Sequence, residues 1–176
     1  MSSDERSLLG LLDDLLQSNA VRADIDRVVE RVKRKLAADT AAVMAWEPLP
    51  LSIYRQSIPS GIASSWVFIL RADAATGAER HPNSCQRMMS YQGIGDLQTG
   101  GEGNWQSHPL FSNRQAPWEQ RWISIPANVW HQAVVPPDRD WVVVSFHTVA
   151  AEELIEERPI EGEINLTRQR RYVEDR

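Results

Sequence analysis

The sequence is poor in the features that would assign it to several large protein classes. It has one cysteine in 176 residues, Cys85, so no disulfide can form within the chain and a reducing compartment suits it. It has no surplus of positive charge: the formal net charge is −5, which removes the electrostatic footprint of a nucleic-acid partner. It has no long apolar run. Stretches such as WVFIL and WVVVSF are far too short to span a bilayer, so no membrane partner is expected. The opening MSSDERS is acidic and polar, unlike the cationic start of a signal peptide, and a cytoplasmic protein is expected. Gly-rich phosphate loops are missing too, because GIG and GGEG lack the strand–turn–helix context they need. There is no nucleophile-elbow pattern and no paired zinc-finger cysteines.

What remains is a soluble globular composition, 42% hydrophobic and 24% charged, with seven tryptophans that all follow residue 40. The first forty residues read as two helices. Leu8, Leu9, Leu11, Leu12, Leu15 and Leu16 recur at helical spacing behind Ser2 and Ser3 as candidate caps, and Asn19 stands where this helix can end. Ile25, Val28, Val29, Val32 and Leu36 form the stripe of the second, whose other face is charged. The pair has two possible docking surfaces, a barrel or a second subunit, and the pattern does not choose.

After Thr40, Pro48 and Pro50 break any helix. From Ser64 the chain becomes short β-type runs separated by glycines and the Pro136-Pro137 pair: SSWVFILRAD, QRMMSYQG, GDLQT, RWISIP, VWHQAVV and DWVVVSFHTV. Many short strands at this spacing argue for an antiparallel sandwich or barrel rather than a parallel α/β sheet. Residues 100–120 read as the long loop between its halves. From Ala151 the chain is charged, with a short helix over 151–157 and then an extended tail. The expected organisation is a helical appendage over 1–40, a barrel over 41–150 and a charged extension over 151–176.

Two segments carry candidate chemistry. In TGAERHPNSCQRMMSYQG, Glu79 is followed after one residue by His81, after four more by Gln86, and after six more by Gly93. In ISIPANVWHQAVV, Pro126, Asn128 and His131 stand as PxNxxH. These segments resemble, in the right order, the two motifs of the cupin superfamily: His, one residue, His, three or four residues, Glu, six residues, Gly; then Pro, one residue, Gly, two residues, His. The resemblance covers about half the chain, and the first motif departs in chemistry. A register shifted by two would place His81 first and Asn83 second, leaving only two residues before Gln86. Asn128 replaces glycine at a turn, where Asn tolerates positive φ better than most residues.

The resemblance implies a mainly β fold, the cupin double-stranded β-helix or antiparallel jelly-roll barrel, preceded by the two helices. It also implies that Glu79, His81, Gln86 and His131 converge on one divalent metal, with Fe, Mn, Ni and Zn all open. Period-two alternation puts Gln86, Met88 and Ser90 on one face of their strand, and Val129, His131, Ala133 and Val135 on one face of theirs. Two imidazoles and one carboxylate suffice for a first-row ion with open positions. Met88, Tyr91, Trp130 and His147 are the candidate pocket residues, with Arg87 beside them. His108 is expected in an exposed loop, and Cys85 is expected to be a buried structural thiol. Two functions stay open: a metal-dependent enzyme of oxidoreductase, isomerase or decarboxylase type acting on a small organic substrate, or a metal-free module that binds a sugar or metabolite. A homodimer is the expected assembly in either case.

Overall fold

The computed structural model describes residues 1–55, 58–101, 103–160 and 166–173. Helix α1 (Ser3–Gln17) begins at Ser2, whose side chain accepts the backbone N–H of Glu5 at 3.2 Å. Asp4 and Glu5 occupy its first turn, where acids suit the positive end of the helix dipole. It passes through Ser18 directly into α2 (Asn19–Ala38).

Eleven strands follow among the described residues. They are β1 (Met44–Leu49), β2 (Ser64–Leu70), β3 (Gln86–Gln92), β4 (Ile94–Gly101), β5 (Asn104–Gln106), β6 (Pro109–Phe111), β7 (Trp122–Ile125), β8 (Trp130–Val134), β9 (Trp141–His147), β10 (Ile155–Pro159) and β11 (Thr167–Arg171). One antiparallel sheet runs β1-β2-β9-β3-β7; in the second, β4 pairs with β5, β6 and β8. The facing sides of the two sheets enclose Trp66, Phe68, Leu70, Met88, Leu97, Leu110, Ile125, Ala133, Trp141 and Val143. This is an antiparallel barrel of two facing sheets, the mainly β architecture expected.

The larger sheet is buried on both faces. Every residue of β2 and β9 is buried, which explains their continuous apolar runs. Val67, Ile69, Met89, Tyr91, Val142, Val144 and Phe146 point away from the barrel interior and pack with Leu9, Leu12, Leu16, Ile25, Val29 and Val32 of the helices. Of the two docking surfaces open to the helices, the barrel is the one they occupy in this chain.

No α-helix forms across Pro48 and Pro50, as expected; Pro48 sits in β1, an edge strand, where a missing N–H costs no ladder bond. Two local expectations change. Residues 100–120 are not all loop, since β5 and β6 fold back on β4. The segment after Ala151 makes one short 3-10 turn (Ala151–Glu153) and then the β10-β11 hairpin, rather than a helix over 151–157 followed by a tail. Residues 161–165 and 174–176 of that extension lie outside the described residues.

The hairpin is attached to the barrel through an irregular edge segment. The backbones of Glu79 and His131 exchange two hydrogen bonds of 2.8 Å, and Arg80 and Glu157 exchange two of 2.9–3.0 Å. The order β8, residues 74–80, β10, β11 therefore extends the second sheet and carries the C-terminal segment to the candidate site.

Candidate metal centre

The turn that aims His131 has a local cause. Asn128 adopts φ 67°, the left-handed conformation for which asparagine is suited, and its N–H donates to the His81 carbonyl at 3.0 Å. The second motif is thereby tied directly to the first. Gly93, ending the first motif, has φ 86°, and a Cβ there would lie 2.7 Å from the Asp140 carbonyl oxygen. Only glycine meets both conditions without strain.

Glu79, His81 and His131 each offer one ligand atom, and these atoms lie within 4.8 Å of one another. Glu79 Oε1 is 3.6 Å from His131 Nε2. Ligands around one ion at about 2.1 Å stand roughly 3 to 3.5 Å apart, so a closing movement of about 1 Å brings the set to coordinating distances. Both rings are fixed from behind by backbone carbonyls: His81 Nδ1–H donates to Ile155 O at 2.9 Å, and His131 Nδ1–H donates to Val129 O at 3.0 Å. In the neutral rings this leaves the Nε2 lone pairs for a ligand, the tautomer that metal-binding histidines use.

Gln86 reaches the same cavity. Its Nε2 donates to Ser145 Oγ at 3.2 Å; the Ser145 hydroxyl donates to His147 Nε2 at 3.1 Å; His147 Nδ1–H donates to Ser84 Oγ at 3.3 Å; and Ser84 donates to Cys85 O at 2.9 Å. This polarity turns the Gln86 Oε1 away from Ser145. Both Gln86 Oε1 and His131 Nε2 are buried without a hydrogen-bond partner among the described residues. Buried orphan acceptors cost free energy, and two of them lining one cavity call for a cation or a donor between them. Two imidazole nitrogens, one carboxylate and one amide oxygen form a donor set that fits a first-row divalent ion.

The electrostatics favour an ionised Glu79 and an uncharged His81. Burial pushes the Glu79 carboxyl up, but His131 and the guanidinium of Arg158 outweigh it and hold the group down at about 2. Burial pushes the His81 imidazole below its ordinary value, against the opposing pull of Glu79. His147, wholly enclosed, is driven well below by burial and then by His81.

The cavity measures about 40 Å³ and is lined by Glu79, Gln86, His131, Met88, Trp141 and Tyr172 among others. That volume holds a water or two, or an ion, and lies far below the ~300 Å³ of an ordinary ligand pocket.

The candidate pocket residues divide. Met88 lines the cavity, and His147 stands behind it with its ring centroid 5.0 Å from that of His81. Tyr91 lies outside: alternation places it with Met89 on the helix-facing side, where its hydroxyl donates to Asp26 at 2.7 Å. Arg87 shares that side and grips Glu5 of α1 at 2.6 and 2.8 Å. Trp130 alternates away from His131 and stacks beneath Arg80 at 4.6 Å. His108 is half-buried, its Nε2 2.8 Å from Thr99 Oγ1, and Cys85 is half-buried rather than enclosed.

Two residues at the centre come from the segment read as a tail. Arg158 binds the Glu79 carboxylate with one guanidinium nitrogen, Thr76 O at 2.7 Å with another and Glu156 at 2.6 Å with the third. The buried Tyr172 ring packs 6.0 Å from His81 and among Trp46, Trp66 and Phe68. A segment of alternating Arg and Glu has no apolar periodicity, so neither residue carried a signal.

Fold and cluster together define a class: an antiparallel two-sheet β-barrel with a His/Glu group able to hold a metal ion. No family profile and no curated protein matches the sequence. Among solved structures the chain is similar to an oxalate oxidase in complex with the substrate analogue glycolate, at 13% identity, TM-score 0.48, covering 63% of this chain and 54% of that one. It is similar to pumpkin seed globulin, at 17% identity, TM-score 0.49, covering 67% and 28%. It is also similar to the capsular polysaccharide assembling protein CapF from Staphylococcus aureus, at 11% identity, TM-score 0.48, covering 63% and 29%. The chain thus spans about half or less of the length of each of these proteins. No helix among the described residues is long and apolar enough to cross a membrane.

Proposed function

We propose that the protein is a metal-dependent cupin enzyme acting on a small organic substrate, with Glu79, His81 and His131 as ligands of an iron, manganese, nickel or zinc ion and Gln86 as a fourth. The observation that carries this is the pair of buried orphan acceptors, Gln86 Oε1 and His131 Nε2, on the cavity that Glu79 also lines. When bound, such an ion supplies Lewis-acid polarisation of a carbonyl or enolate, or a site for oxygen chemistry. The chain's own residues do the rest. Ile155 and Val129 hold the imidazoles in one tautomer, Ser145 and His147 hold the Gln86 amide, and the apolar wall of Met88, Trp141 and Val143 keeps bulk water out. Oxidation, isomerisation and decarboxylation all remain within this reading. A homodimer in the cytoplasm is the setting we infer for it, from the single cysteine and the symmetry habit of such barrels.

One observation favours a second reading. Arg158 already neutralises Glu79, as in a metal-free barrel that binds a sugar or metabolite. Elemental analysis of untagged, freshly purified protein separates the two, with His131→Ala and Glu79→Gln as controls. Near-stoichiometric metal that both variants lose supports the enzyme. Protein that stays metal-free after incubation with each of the four ions refutes it and leaves the binding module.

A further inference from the structure

The cavity at Glu79 is too small for an organic molecule, yet a larger space adjoins it. A cleft of about 450 Å³ lies along the face of the β10-β11 hairpin that carries Glu156 and Tyr172, and it is lined by Glu156, Arg158, Pro159, Ile160, Arg168 and Arg170. This is the volume of an ordinary small-molecule pocket. Among the described residues, three guanidinium groups meet two carboxylates there, Glu156 and, through Arg158, Glu79. Glu156 Oε1 alone accepts from Arg158 Nε at 2.6 Å and from Arg170 Nε and Nη2 at 2.8 Å. No described residue forms an ion pair with Arg168.

The hairpin register sharpens the imbalance. Arg158 and Arg168 are direct cross-strand partners, as are Glu156 and Arg170, so all four side chains share one face. Like charges directly opposite destabilise a strand pair, and no described acid stands between these two. An anion in the cleft relieves that repulsion with charge-assisted hydrogen bonds from planar guanidinium forks, which match carboxylate and phosphate oxygens. Arg158 then joins cleft to centre, because the same side chain that lines the cleft also binds Glu79.

We propose that this cleft is an anion-binding subsite holding the carboxylate or phosphate group of the substrate, with Arg168 and Arg170 as the recognition residues and Arg158 spanning from that group to Glu79. The substrate class is therefore a small organic acid or phosphate ester. Its role as a substrate rests on the reading of Glu79, His81 and His131 as a catalytic centre; the anion site itself is testable without any metal.

The experiment is isothermal titration of the full chain, stripped of metal with a chelator, using malonate and inorganic phosphate as probes at constant ionic strength, with chloride as reference. The expected result is saturable binding of at least one probe, with Arg168→Gln weakening it about tenfold or more and Arg168→Lys keeping part of it, since lysine retains the charge but not the fork. Malonate alone identifies a carboxylate site, phosphate alone a phosphate site, and both a site for either oxyanion. Arg168 is exposed, so these variants are expected to fold. Binding of both probes no tighter than chloride overturns the proposal, and so does wild-type binding by Arg168→Gln. Metal content is measured on the same preparation before stripping. A protein that stays metal-free after incubation with the four ions yet binds the anion overturns only the enzyme reading, and a metalloprotein that binds neither probe overturns only the subsite.

Discussion

Substituting Asp13 by alanine tests how α1 is held to the barrel. The Asp13 carboxylate accepts two hydrogen bonds from Arg121, at 2.5 and 2.6 Å, and one from the indole Nε1 of Trp122 at 2.8 Å. Asp13 is 9% exposed and Arg121 4%. Truncation leaves a buried guanidinium and a buried indole N–H without their acceptor. Breaking a buried pair in this way costs about 3 to 5 kcal/mol, a large part of a total stability of roughly 5 to 15 kcal/mol. For a domain of this length each kcal/mol lowers Tm by about 2 to 4 °C, so Asp13→Ala is expected to melt roughly 6 to 20 °C below the parent. Circular dichroism melts and urea titrations provide the measurement. The double variant Asp13→Ala, Arg121→Met removes both charges and is expected to recover to within about 2 kcal/mol of the parent. Added salt is expected to change the single-variant penalty little, because a buried pair is weakly screened. A cost below about 1 kcal/mol would refute the buried docking of α1 described above.

Two further perturbations probe the turn and the hairpin. Gly93→Ala combines a positive φ with a 2.7 Å contact to the Asp140 carbonyl, and is expected to cost about 2 to 4 kcal/mol in urea unfolding. Gly61→Ala, with φ 88° but open space around its Cβ, is expected to show only the conformational part, about 1 kcal/mol; equal costs would discount the clash. Glu157 is held down at about 2 by Arg80, Thr167 and Gln169, so its contribution is complete above its ordinary value of 4.5 and is lost as pH falls from there towards 2. Glu157→Gln is expected to flatten that part of the pH–stability curve, and an unchanged slope counts against the contact.

The legibility of the fold followed the visibility of periodicity. The leucine stripe of α1, the valine stripe of α2 and the apolar runs of β2 and β9 were readable because burial imposes a period, or erases it, over many residues. All six runs read as strands coincide with one, whole or in part: β2, β3, β4, β7, β8 and β9. β1 was hidden by Pro48, whose tolerance depends on the strand being at an edge, and edge position is a property of the sheet. β5 and β6 are three residues each, too short to show alternation.

For the candidate site, the resemblance to two family motifs singled out Glu79, His81, Gln86 and His131, and turn chemistry anticipated the left-handed Asn128. Alternation within β3 was enough to separate Met88 from Met89. It would have separated Tyr91 as well, had its helix-facing side been known to be covered by α1 and α2. Which face of a doubly buried sheet meets the cavity is decided by what packs on the other face, and that is a tertiary fact.

By itself, then, the sequence determined the two helices and the β architecture, because hydrophobic periods and turn residues act over short stretches of chain. Only the tertiary structure decided that the helices cover the barrel's larger sheet, that Gln86 is held through Ser145 and His147, and that Arg158 and Tyr172 stand at the centre. Arg158 and Glu79 are 79 positions apart in the chain. Their meeting depends on a hairpin adding itself to the edge of a sheet, and no local pattern in a run of arginines and glutamates encodes where that edge lies.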